Sequence, residues 1–132
     1  MITDWDTYPD EQRFLGGVCD AMFMKKNLAL TTRLLQTIDE NWFQDRHHKA
    51  LFQAVFKHCT LAYDEEARVT LTGVLDAAEE MSGEQGWSRD VIRSCSERAG
   101  VFEPDKFLEE ETPIWWEKTK RPKLQTQLAR AD

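Results

Sequence analysis

The sequence predicts an all-α protein, a compact helical core followed by a helical hairpin or a kinked C-terminal arm. Three observations predict it. Apolar residues recur at three- and four-residue spacings, with no sustained alternation of period two. Capping residues and glycine stops punctuate the chain at helix-length intervals. The chain has 132 residues, 41% hydrophobic and 11% aromatic with five Trp, which is enough to bury one core and short for two.

Thr7-Tyr8-Pro9-Asp10 has the spacing of a capping box, with Thr7 accepting from the backbone N–H of Asp10. Phe14, Leu15, Val18 and Met22 then share one face of a helix of about four turns. Gly16-Gly17 inside that helix costs about 1 kcal/mol per glycine relative to alanine. The expected return is close approach of another backbone. Leu28, Leu34, Leu35 and Ile38 mark a second helix ending near Asn41. Asp45 caps the clearest helix, in which Leu51, Phe52, Val55, Phe56 and Cys59 face inward and Lys49, Gln53 and Lys57 outward. Asp64-Glu65-Glu66 reads as a polar loop. Thr70 caps a fourth helix with Leu71, Val74, Leu75 and Ala78 inward, ended by Ser82-Gly83-Glu84-Gln85-Gly86. Ser88 is expected to cap a short helix bearing Val91, Ile92 and Cys95, stopped by Gly100.

Residues 1–100 form the expected core and 101–132 the arm leading to a linker. Pro104 opens the arm, Phe107 and Leu108 follow, and Ile114, Trp115, Lys118, Leu124 and Leu128 make a seam. Pro113 and Pro122 should kink the arm or break it, because proline removes a helix hydrogen bond and clashes with the preceding turn. Trp115 and Trp116 point about 100° apart on a helix, so one faces the domain and the other is left for another contact. Charge divides at the same place. Residues 1–112 hold 12 basic and 22 acidic side chains, and residues 113–132 hold five basic and two acidic.

A net charge of −7 makes the chain a poor partner for phosphate backbones. No apolar run approaches the ~18 residues of a membrane span, and the acidic N-terminus is unlike a signal peptide. Cys19, Cys59 and Cys95, odd in number and widely spaced, fit a reduced intracellular protein and read as buried small hydrophobes. None of the glycines is followed by Lys, so there is no phosphate-cradling loop, and there is no CxxC. Asp45, His47, His48, His58 and Cys59 resemble a metal cluster in composition, but His47 and His58 stand about 16 Å apart along a helix. His47 is expected to be partly buried at the helix start and His48 solvated. The Asp64–Glu66, Glu79-Glu80 and Glu109–Glu111 runs read as solvated faces or helix ends. No catalytic, metal or cofactor residue is assigned.

Three segments, in order and at matching spacing, resemble the N-terminal domain of DnaB-type replicative helicases of the bacteriophage kind. Glu11-Gln12-Arg13-Phe14-Leu15-Gly16-Gly17-Val18 is similar to that domain's opening helix. Asn41 to Phe52 resembles its most recognisable stretch, an acidic-aromatic turn leading through a histidine into a helix carrying Leu-Phe. Val69-Thr70-Leu71-Thr72 with Val74-Leu75 resembles the following capped helix, with Thr70 in place of the usual Asp. The motif positions are Phe14, Gly16, Gly17, Phe43, His47, Leu51, Phe52 and Thr70, and Phe107 to Leu128 looks like the family's C-terminal arm. The stretch Asp20 to Asn27 is longer than the family pattern needs, and Pro113 and Pro122 interrupt an arm that is otherwise regular helix.

The resemblance implies a binding role without chemistry of its own. It implies self-association as a dimer or as part of a hexameric ring, and docking of primase or a helicase loader. The full-length parent would be an ATP-dependent DNA helicase in the cytoplasm of a bacterium or a phage-infected host. Ile114, Trp115, Trp116, Lys118, Arg121, Leu124 and Leu128 are the contact residues this implies. Both a fragment and a free-standing relative fit. The alternatives are a helicase-interacting domain of a primase, a stand-alone phage adaptor that mimics the collar, and a small metal-dependent hydrolase.

Overall fold

Pro9 occupies the first turn of α1 (Pro9–Cys19), where its missing N–H costs no hydrogen bond. The computed structural model describes residues 8–65 and 70–118, with side chains 61–65 left aside. Among these residues every regular element is helical and none is a strand. Tyr8 stands at the cap position of α1 without a side-chain capping bond, and Thr7, expected to cap, lies outside the described residues. The chain divides into two compact units, Met1–Val101 and Phe102–Asp132.

In the first unit α1 does not end at Cys19. A wide turn, Asp20–Met24, prolongs it, with Lys25 N–H donating to the Asp20 carbonyl at 2.9 Å. That turn takes up much of the stretch from Asp20 to Asn27. Lys26 then reverses the chain at φ 52°, and the Asn27 side chain caps α2 (Leu28–Thr37) by accepting from Leu30 N–H at 3.0 Å. A single tight turn, Glu40–Trp42, leads to α3 (Arg46–Glu65). Asp45 Oδ1 accepts from the N–H groups of His47 and His48, both at 2.9 Å, as its position before the helix predicts. α3 runs through Asp64 and Glu65, which the sequence reading placed in a loop; helical hydrogen bonding continues across acidic residues that lie on its far end.

Thr70 caps α4 (Leu71–Ser82) through Gly73 N–H at 3.1 Å, and Gly83 ends it at φ 74°, the left-handed value that glycine adopts without strain. Leu71 is exposed rather than inward, since only Val74, Leu75 and Ala78 reach the buried face. α5 (Ser88–Ala99) has Trp87, not Ser88, at its cap position. Ser88 is buried one position inside, and its hydroxyl donates to Glu79 Oε2 of α4 at 2.9 Å.

α1 lies against α5 and α3, α2 packs on α3, and α4 packs on α3 and α5. Gly16 permits a close approach of α1 to α5. A Cβ there would sit 2.2 Å from the Cys95 carbonyl oxygen and 2.7 Å from the Ala99 Cβ. Phe14 of α1, Phe43 of the segment before α3 and Phe52 of α3 form a buried aromatic group, with centroids 6.2 Å apart for Phe14–Phe43 and Phe14–Phe52 and 4.9 Å for Phe43–Phe52. Each such pair adds about 0.5–1.5 kcal/mol beyond its area burial.

In the second unit α6 opens at Pro104 and continues through a wide turn, Phe107–Glu111, into helix over 112–118. Pro113 therefore neither breaks the helix nor ends it. The wide turn hands the Phe107 carbonyl to Thr112 N–H, five residues on, and the Thr112 hydroxyl donates to the same carbonyl at 3.3 Å. That added residue re-registers the ladder just before the ring that cannot donate to it. The Phe102 and Phe107 rings meet at a 45° tilt with centroids 5.1 Å apart. Pro122 lies outside the described residues.

Candidate functional site

The first and second motif segments meet where α1 crosses the start of α3. Glu11, 1% exposed, is the centre of the junction. Its Oε2 accepts from Gln44 N–H at 2.8 Å, and its Oε1 accepts from Asp45 N–H at 3.3 Å and faces His48 Nδ1 at 2.9 Å. One carboxylate thus satisfies two backbone donors of the turn that introduces α3 and one side chain of its first turn. Asp45, itself buried, stands 3.9 Å from the same His48 nitrogen while capping the helix. A buried carboxylate needs this many donors, since its desolvation is otherwise uncompensated. His48 Nε2 is buried and has no hydrogen-bond partner among the described residues.

His48 is buried, which corrects the expectation that it stands in solvent, while His47 is buried at the helix start as expected. The signal was present. His48 precedes Leu51 and Phe52 by three and four residues and so shares the face that carries them, Val55 and Cys59.

His47 points elsewhere. Its Nε2 lies 2.9 Å from Glu84 Oε2, and its ring packs on Trp87 with centroids 4.5 Å apart. Trp87 Nε1–H donates to Ser82 Oγ at 2.9 Å and to the Glu84 carbonyl at 3.0 Å, fixing the loop between α4 and α5 over the start of α3. Arg46 adds a 2.8 Å ion pair to Glu84 Oε1. The hydrogen bond from His47, with the positive charge of Arg46 behind it, holds the Glu84 carboxyl below its ordinary value. His58 Nδ1 lies 2.9 Å from the Ala54 carbonyl on its own helix. The three histidines therefore have three separate partners, and no group of three metal-ligating side chains converges among the described residues.

Cys19, Cys59 and Cys95 are buried free thiols. Burial pushes the Cys19 thiol up to about 12 and raises that of Cys95 further. All three are core residues, and burial favours the protonated thiol at Cys19 and Cys95.

Of the other motif positions, Phe14, Gly16, Gly17, Phe43, Leu51 and Phe52 are buried, while Thr70 is an exposed cap. The seven contact residues on the arm do not share one fate. Trp115 is 2% exposed and so is not a free surface anchor, whereas Ile114, Trp116 and Lys118 are exposed. The adjacent tryptophans thus diverge as helical geometry requires, one buried and one not. Arg121, Leu124 and Leu128 lie outside the described residues. No described helix is long and apolar enough to cross a membrane. Comparisons with protein-family models, with curated proteins and with solved structures gave no match.

Proposed function

We propose that this chain is the collar and protein-docking domain of a DnaB-type replicative helicase, serving subunit association and the recruitment of primase or a loader. The observation that carries the reading is the convergence of its motifs. The first and second of the segments that resemble the family pack directly on each other, through Glu11 against His48 and through Phe14 against Phe43 and Phe52. The exposed Trp116 and Ile114 on the arm supply apolar surface of the kind that anchors protein interfaces. In this reading the domain performs no chemistry, and strand separation belongs to a motor on the same polypeptide.

Light scattering coupled to size exclusion, over a concentration series, tests the proposal together with a pull-down of the cognate primase. Association and primase capture are expected, with Trp116→Glu and Ile114→Glu weakening association. A strictly monomeric chain that also ignores the primase would overturn it.

A further inference from the structure

On the first unit an open groove of about 1050 Å³ lies between the end of α2, the Glu40–Trp42 turn and the middle of α3, with Met81 of α4 at its edge. Leu35, Ile38 and Phe52 are buried and form its floor. Phe56 and Met81 flank it and stay 43% and 42% exposed. A single exposed apolar side chain is ordinary, but two facing one concave apolar floor leave a surface shaped to be covered.

The groove also has an electrical direction. The last turn of α2 carries no basic residue, so the negative end of that helix is not compensated there. Asp39 and Glu40 stand exposed beside it. Both carboxylates are held in place, Asp39 by accepting from Asn41 N–H and Glu40 by accepting from Gln53 Nε2–H, each at 2.8 Å. Lys57 lies one turn of α3 beyond Gln53, toward the opposite end.

We propose that this groove docks a short basic amphipathic helix of a partner protein. The helix seats its apolar side chains on Phe52, Phe56 and Met81 and directs Lys or Arg side chains at Asp39, Glu40 and the end of α2. Charge complementarity selects the occupant. A cation at the α2 end meets two ordered carboxylates and a helix C-terminus, and the 22 acidic against 12 basic side chains of residues 1–112 disfavour an acidic segment. The identity of the partner rests on the docking role proposed above, whereas the chemistry of the groove does not.

The test is calorimetric titration of the full chain with three synthetic peptides of about four helical turns. One is amphipathic and built from Leu and Lys, one has Glu for Lys, and one has the Leu and Lys order scrambled. The amphipathic basic peptide alone should bind. Phe56→Ala with Met81→Ala should weaken it at least about tenfold, as loss of anchoring contacts does. Asp39→Asn with Glu40→Gln keeps the turn's hydrogen-bond acceptors and should weaken it several-fold, with less dependence on salt. All four positions are exposed, and circular dichroism checks the fold of each variant. No binding, equal binding of the scrambled or acidic peptide, or undiminished binding to the Phe56/Met81 variant overturns the proposal. A Phe56/Met81 variant that falls from dimer to monomer does so too, because a second copy then fills the groove. Failure to bind the basic peptide by a chain that still captures primase sinks the groove and spares the collar reading; peptide binding by a strictly monomeric chain that ignores primase does the reverse.

Discussion

Glu11 Oε1 and His48 Nδ1 lie 2.9 Å apart across 37 residues of sequence, with both side chains out of solvent. This pair, with the two backbone donors that share the Glu11 carboxylate, locks the entry of α3 to α1. Glu11→Ala strips three donors of their acceptor at once and should destabilise the protein by about 3 kcal/mol or more. Urea denaturation at neutral pH measures it. A cycle with His48→Leu should give a coupling energy of about 1 kcal/mol or more, and additive effects would show that the contact carries no energy.

Gly16→Ala would improve helix propensity by about 1 kcal/mol in isolation. In the folded chain the new methyl meets a backbone oxygen, which cannot rotate away as a side chain would. The expected net result is destabilisation of about 1–3 kcal/mol, read as a lower thermal midpoint. Ala99→Gly added to it should rescue little, because the Cys95 carbonyl is the nearer obstacle. A stabilised Gly16→Ala variant would refute this packing.

The Glu84 carboxyl is depressed in the folded state by the His47 hydrogen bond and by Arg46. Its contribution to stability is therefore present above the ordinary carboxylate value of 4.5 and is lost as pH falls through the lower folded value. Thermal midpoints of the wild type should fall more steeply on acidification below that value than those of Glu84→Gln. The site faces solvent, so the difference should shrink with added salt. Identical acid limbs for the two proteins would assign the acid sensitivity elsewhere.

Cys19 and Cys95 should resist iodoacetamide at pH 8 in the native protein, since burial keeps both thiols protonated well above that pH. Mass spectrometry should find both modified once urea unfolds the chain. Rapid native labelling at either position would mean that the α1–α5 contact opens readily.

Most of the helices were legible because their signals are local. The Asp45 and Thr70 caps each satisfy N–H groups two or three residues ahead, and Gly83 supplies a left-handed turn at the point where the apolar pattern stops. Gly16 was legible for a related reason, as a residue with a helical cost that only a close neighbour offsets. Ser88 shows where such reading fails. A serine before an apolar run is a normal cap, yet its hydroxyl is taken by Glu79, nine residues away on another helix. At Pro113 the sequence offered a kink or a break, and which of them is avoided depends on more than the proline. The helix is not broken, because the wide turn upstream and the Thr112 hydroxyl take up the ring.

By itself, then, the sequence determined the all-helical class, most of the helix ends and the apolar faces, all of which follow from interactions within a few residues. The tertiary structure decided which polar groups went inside. Neighbours in sequence, His47 and His48 part company because Glu84 waits near one and Glu11 near the other, each 37 residues distant. Burying a polar side chain is tolerable only beside a partner, and where that partner lies is set by how the helices cross, which no local pattern records.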